Sequence, residues 1–218
     1  MLDVGGGTGG FAVPLAALGH RVTVVDPSPD ALAALQRRAA EAGVNNRITP
    51  LQGDAGELAQ LVGAGSADLV LCHGVLEYTD DPAKALADAV AVLRPAGLLS
   101  LLVHSRFGGV LARALSGRFG EAQAILSGPE GSSGTADPFP RRFDLPVVLE
   151  LLAGQDLDVR AVHGVRLFAD LLPGALVDGD PTAVAALLEL ERAAGDHSRF
   201  PELAAVAAQL HVVATARD

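Results

Sequence analysis

Asp3, Asp26 and the glycines between them are the residues of this 218-residue chain whose spacing best suits chemistry. Residues 2–10 read Leu-Asp-Val-Gly-Gly-Gly-Thr-Gly-Gly, and a second apolar run, Arg21-Val-Thr-Val-Val, ends in Asp26. A short strand running into a glycine turn lets backbone approach a ligand that any β-carbon would strike. An acid closing the next strand about 20 residues on is placed to accept hydrogen bonds from ribose hydroxyls.

Gly5, Gly7 and Gly10 satisfy a dinucleotide turn as well as an S-adenosylmethionine turn. Asp3 separates the two. A carboxylate two residues before the glycines repels a pyrophosphate seated on the following helix N-terminus. The same carboxylate favours S-adenosylmethionine, which carries an ammonium and a sulfonium and no phosphate. Gly5, Gly7 and Gly9 are then expected to face its methionine and ribose portions, with Asp3 nearby.

Further candidates stand at the ends of later strands. Asp54 and Ala55 follow the third strand and would lie against adenine, although Asp54 also suits a helix cap. His73 ends the fourth strand and is expected to point into the same crevice. Glu77 and Tyr78 follow it and could line a substrate mouth. His104, at the end of the fifth strand, is a further candidate, whereas His163 and His211 lie inside apolar strands. No Cys/His cluster has metal-ligand spacing, and no Ser–His–Asp arrangement can be argued. Cys72, the single cysteine, follows Leu69-Val70-Leu71 and reads as a buried strand thiol.

The elements that must position these residues alternate between strand and helix, the pattern of a parallel sheet flanked by helices. Strands are expected at Met1–Val4, Arg21–Val25, Arg47–Gln52, Asp68–Cys72, Leu98–His104, Asp158–Phe168 (a long strand or a bent strand pair) and Gln209–Ala216. Helices are expected at Thr8–Leu18, Ala31–Ala42, Glu57–Val62, Asp80–Leu93, Gly108–Leu115, Glu121–Leu126, Leu145–Leu152 and Pro181–Ala194. Arg94–Gly97 reads as a helix stop, and Ser127–Pro140, rich in Gly, Ser and Pro, reads as a mobile loop. The implied fold is α/β, a Rossmann-like, doubly wound and mostly parallel seven-stranded sheet with an antiparallel last strand. One domain spans 1–218, with a core of about 1–104 and 144–218 and a helical lid inserted at about 105–143. Ligands in such sheets sit beyond the carboxyl ends of the strands, at the switch point.

A net charge of −10 disfavours a protein that coats nucleic acid non-specifically. Residues 104–143, however, carry +2, leaving −12 on the remainder. The arginines there are either solvated or turned toward a substrate. Every apolar run is interrupted well short of a membrane span, and the lone cysteine fits a reducing cytoplasm. One lysine against fifteen arginines suggests GC-rich coding, in which a GTG valine codon read as a start would place Met1 in the first strand. An N-terminal cap is therefore expected upstream of this chain.

These segments together resemble class I S-adenosylmethionine-dependent methyltransferases, and within them the tRNA 5-carboxymethoxyuridine methyltransferases. The resemblance rests on LDVGGGTGG, AALGHRVTVVDPS, LVLCHGVLEYTDDPAKAL, VLRPAGLLSLLV, GVRLFADLL, ALLELERA and LHVVATA. It implies an enzyme that O-methylates the carboxylate of a modified wobble uridine in tRNA. By position match, Gly5, Gly6, Asp26, Ala55, Gly56 and His73 become cofactor contacts. A carboxylate is already ionised at neutral pH, so direct displacement needs no general base. An arginine pairing the acceptor carboxylate would aid positioning, and Arg106, Arg141 and Arg142 are the local candidates. Ala208-Gln209 stand where that family tends to carry Arg-Tyr. A small-molecule O- or N-methyltransferase and a non-catalytic S-adenosylmethionine-binding module remain open as alternatives.

Overall fold

The structure, a computed structural model, describes residues 1–173, 180–195, 197, 199–200 and 202–217. Strands β1 (Leu2–Val4), β2 (Val22–Asp26), β3 (Ile48–Gln52), β4 (Ala67–His73), β5 (Leu93–His104), β6 (Leu157–Val165) and β7 (Gln209–Ala216) form one sheet. Its order is β3-β2-β1-β4-β5-β7-β6, with an antiparallel final strand. Every residue of β1 is buried, because β1 pairs in parallel with both β2 and β4. Leu2 lies opposite Thr23 on one side and Val70 on the other.

Around the strands run α1 (Ala12–Ala17), α2 (Pro29–Glu41), α3 (Leu58–Val62), α4 (Pro82–Ala91), α5 (Arg106–Leu115), α6 (Phe119–Ser127), α7 (Leu145–Ala153), α8 (Pro181–Gly195) and α9 (Glu202–Val206). Contacts divide the chain into two units. The first comprises Met1–Leu101, Leu151–Arg160 and Val213–Asp218; the second, Leu102–Glu150 and Ala161–Val212.

In the first unit, α2 starts where Ser28 Oγ accepts the Ala31 N–H at 3.2 Å and Pro29 occupies the first turn. Leu32, Leu35 and Ala39 lie on one helical face and bury against Val22, Val24 and Ile48. Each buried leucine contributes about 2 kcal/mol of apolar transfer. Helix α4 begins the same way, with Asp81 Oδ1 accepting the Lys84 N–H at 3.0 Å and Pro82 next in sequence.

Three expected boundaries change. Helix α1 begins at Ala12 and not Thr8, because Thr8 lies between Gly7 (φ 54°) and Gly9 (φ 83°). Two left-handed residues cannot sit inside a right-handed helical turn. Strand β5 begins at Leu93, so Arg94–Gly97 lies within strand, with Ala96 at φ 59°. Strand β6 stops at Val165 because Arg166 turns left-handed at φ 60°. Helix α9 was not expected; five residues carry too little periodicity to mark it.

In the second unit, Ser105 caps α5 through the Gly108 N–H at 3.2 Å. The segment read as a mobile loop has a definite framework. Asp137 lies at its centre and accepts the N–H groups of Ser133 and Phe139 at 2.8 and 3.1 Å. Arg142 grips the same carboxylate with two hydrogen bonds, at 2.7 and 2.9 Å, and donates to the Gly131 carbonyl. Both side chains are almost fully buried, at 0 and 3% exposure. Burial alone would raise the Asp137 pKa, but the bonds from Arg142 and from two backbone N–H groups hold it well below the usual range.

This pair makes a measurable prediction. Asp137 is depressed on folding, so its stabilisation is complete above about pH 4 and is lost as pH falls further. Arg142→Met, which leaves the buried carboxylate with only the more distant Arg113, at 3.9 Å, as a cationic partner, is expected to cost about 3 kcal/mol in urea unfolding. Asp137→Asn in the Arg142→Met background should recover part of that loss.

Candidate cofactor site

The glycine turn is held from below by Asp26. This residue ends β2, is 7% exposed, and uses both carboxylate oxygens on backbone. Oδ2 accepts the Gly7 N–H and Oδ1 the Ser28 N–H, each at 2.9 Å. The Gly5 N–H donates to the Val25 carbonyl at 2.7 Å, and Arg38 from α2 donates to the carbonyl and hydroxyl of Thr8. Arg38 did not stand out in the sequence, where it reads as one more solvated helix charge. A carboxylate oxygen has capacity beyond one hydrogen bond, so Asp26 can anchor the turn and still accept from a ligand.

Above the turn is a cleft of about 320 Å³. The structure brings Gly5, Asp26, Asp54, Ala55 and Tyr78 together in its wall. Gly53, Gly74, Val75 and Thr79 join them and were not singled out beforehand. Val75 abuts Gly5 so closely that a β-carbon there would sit 2.8 Å from Val75 Cγ2. Asp54 caps the short 3-10 turn Ala55–Glu57, and its own N–H donates to Glu57 Oε2 at 3.3 Å. Both readings offered for Asp54 therefore fall at one position. Gly56 lies in the same 3-10 turn, outside the cleft wall. Tyr78 is 59% exposed at the rim, whereas Glu77 beside it is buried.

Asp3 lies beneath the turn at 2% exposure, and its Oδ2 has no hydrogen-bond partner among the described residues. A β-carbon on Gly6 would come within 2.5 Å of that oxygen. Burial, and then the Asp26 charge, push the Asp3 carboxyl up to about 7. Burial likewise pushes the Cys72 thiol up to about 12, aided by Glu77 and Asp3, so Cys72 is a core residue and no nucleophile.

His73 is not part of this cleft's wall. Its Nε2 lies 2.8 Å from Ser100 Oγ, and its ring meets Phe11 edge-on with centroids 4.8 Å apart. The other candidates belong to the second unit and are engaged within it. His104 stacks on Phe139 and contacts Gln209. Arg106 pairs with Asp144 at 3.0 Å and donates to the Gly128 and Pro129 carbonyls. Arg141 pairs with Glu130, and Arg142 holds Asp137. The expectation of three arginines turned to substrate therefore meets three guanidiniums with protein carboxylates. No group of His, Cys, Asp and Glu among the described residues could hold a metal, and no described helix is long and apolar enough to cross a membrane.

Known proteins share this architecture. A methyltransferase domain family matches residues 2–101. An S-adenosylmethionine-dependent methyltransferase from Methanosarcina mazei superposes with a TM-score of 0.66 at 16% identity, over 99% of this chain and 91% of its own. A possible histamine N-methyltransferase from Thermotoga maritima gives 0.63 at 18% identity, over 99 and 81%. The fold is that of the S-adenosylmethionine-dependent methyltransferases. The tRNA 5-carboxymethoxyuridine methyltransferase of Escherichia coli K12 is 32% identical over 192 residues, covering 88% of this chain and 71% of that enzyme. A ubiquinone biosynthesis O-methyltransferase from Caulobacter sp. K31 is 31% identical over 76% of this chain and 62% of its own. The chain belongs to the S-adenosylmethionine-dependent methyltransferase family, and S-adenosylmethionine is its cofactor.

The residues present fit that cofactor. An unpaired buried carboxyl beneath the turn suits a cationic ligand, and a turn crowded against Val75 and Asp3 leaves no room for side chains at Gly5 and Gly6. Because folding raises the Asp3 pKa, the Asp3 contribution to stability without cofactor should be fully present below about pH 4 and be lost as pH rises to about 7. Asp3→Asn should remove that slope and stabilise the cofactor-free protein at pH 8 by an amount on the order of 4 kcal/mol. Thermal melts from pH 4 to 8 measure it. Asp26→Ala should release the turn and weaken calorimetric S-adenosylmethionine affinity at least about tenfold.

Proposed function

We propose that this enzyme O-methylates the carboxylate of a modified wobble uridine in tRNA, in the cytoplasm. One observation carries the reading. The likeness to the E. coli tRNA enzyme covers 192 residues and so continues beyond the methyltransferase domain at 2–101. The part of such a chain that follows the cofactor half carries acceptor choice, so likeness there bears on the acceptor.

When bound, S-adenosylmethionine supplies a methyl group on a positively charged sulfur, which an ionised carboxylate takes by direct displacement. The chain's own residues then need only bind, align and exclude water. Asp26 is assigned to the ribose hydroxyls, Asp54 and Ala55 to the adenine, and Gly5, Gly6, Gly7 and Gly9 to close backbone approach. Asp3 is assigned to the cationic end of the cofactor. His73 steadies the end of β4 through Ser100 and Phe11. Tyr78 and His104 are assigned to the acceptor side. Arg106 and Arg142 build the segment after α6, and Arg141 stands beside them with Glu130.

A small-molecule acceptor is the second reading, favoured by the ubiquinone biosynthesis O-methyltransferase relatives and by a net charge of −10. Transfer of tritiated methyl to tRNA bearing 5-carboxymethoxyuridine separates the two. The tRNA reading expects labelled ester, with KM for tRNA rising at least about tenfold from 50 to 200 mM salt. Labelled small molecules, with no labelled tRNA at any salt, would establish the second reading instead.

A further inference from the structure

We propose that Asp3 exchanges its proton for the cationic end of S-adenosylmethionine, and so makes the site prefer that cofactor to its neutral-sulfur product, S-adenosylhomocysteine. The proposal rests on the reading above that sets Asp3 toward the cationic end, and is independent of which acceptor takes the methyl. Asp3 stands at the middle of β1, and the next two residues, Val4 and Gly5, line the cleft. Its carboxyl lies against the backbone of the glycine turn, where a β-carbon on Gly6 would sit 2.6 Å from Asp3 Cγ.

A buried carboxylate that serves the fold is supplied with donors. Asp26 accepts a backbone N–H on each oxygen, and Asp137 accepts from Ser133, Phe139 and Arg142. Asp3 Oδ2 is buried and has no partner among the described residues. Such an oxygen is stable in two ways, with a proton on the carboxyl or with a cation nearby. The surrounding elements favour the proton while the site is empty. From β2 comes the carboxylate of Asp26; from β4 come the Cys72 thiol and His73, whose ring turns to Ser100. Glu77 is buried just beyond β4, and Arg38 of α2 spends its exposed guanidinium on Thr8. Burial, and then the Asp26 charge, lift the Asp3 carboxyl to about 7, so a proton resides there through much of the neutral range.

S-adenosylmethionine carries an ammonium and a sulfonium, whereas S-adenosylhomocysteine keeps the ammonium alone. In transfer, a lone pair of the acceptor bonds to the methyl carbon, and the sulfur keeps the electron pair of the broken S–C bond and becomes neutral. Asp3 gives its proton to solvent when the doubly cationic ligand enters, and takes one back once the sulfur is neutral. The buried carboxyl is thus never both charged and unpaired.

Calorimetric titrations in buffers of different ionisation heat count the protons exchanged. At about pH 6.5, S-adenosylmethionine should release about 0.7 proton per site more from wild type than from Asp3→Asn, and S-adenosylhomocysteine at most about 0.3. From about pH 5.5 to about pH 7, wild-type affinity should rise about tenfold relative to Asp3→Asn for S-adenosylmethionine, and at most about threefold for S-adenosylhomocysteine. The carboxyl carbon resonance of Asp3 follows the same ionisation in wild type without any substitution. It should move downfield when S-adenosylmethionine is added and move less with S-adenosylhomocysteine.

Equal proton counts in wild type and Asp3→Asn overturn the exchange, as does an Asp3 resonance that S-adenosylmethionine leaves in place. Equal counts and equal pH slopes for the two ligands in wild type overturn the discrimination. No binding of S-adenosylmethionine at any pH overturns the assignment of the cleft, and the proposal with it.

Discussion

One carboxylate organises the half of the molecule that binds cofactor. Asp26 grips the Gly7 and Ser28 N–H groups, and so ties the glycine turn to the start of α2. Gly7 and Gly9 are both left-handed; the Gly9 N–H reaches the Gly6 carbonyl at 2.9 Å and the Gly9 carbonyl accepts the Val13 N–H at 3.1 Å. The Asp26 grip adds the bond that the Gly7 N–H makes. It also places Asp26 in the cleft wall. Anchoring and, in the proposed reading, contact with the cofactor ribose thus fall to one side chain.

Asp3 and Asp26 are both buried, yet they are physically opposite. Asp26 has donors on both oxygens, whereas Asp3 Oδ2 has none among the described residues. Burial without donors makes the charged form of Asp3 expensive, and the neighbouring Asp26 charge adds to it. In the proposed reading, the cationic end of the cofactor relieves that conflict, and part of its binding strength comes from an electrostatic strain at Asp3, a common arrangement where function outweighs local stability.

The second unit uses a buried ion pair for a related end. Asp137 and Arg142 convert a segment of poor intrinsic order into a framework with one aromatic ring fixed in it. Neighbouring arginines are drawn into the same framework: Arg106 binds Asp144 and two carbonyls, and Arg113 reaches Glu121 at 2.8 Å. The modest positive charge of this region is thus largely engaged in construction.

The sequence by itself determined the fold class, the places of β1 to β4, the last strand and the glycine cradle with its two acids. These features depend on local rules: apolar runs, proline and serine caps, and glycines where backbone must turn. Tertiary structure decided what the charged residues do. Nothing local distinguishes Arg142, buried on Asp137, from an arginine turned to a substrate, because its partner's burial is set by the surrounding fold. The start of α1 was decided by the left-handed Gly7 and Gly9, in a turn that Asp26 holds by a bond reaching 19 residues back to Gly7. Tertiary structure also decided the pairing of His104 with Gln209, 105 residues apart and joined only when β5 and β7 become neighbours. Local pattern sets which elements form; long-range contacts set which side chains they leave for chemistry.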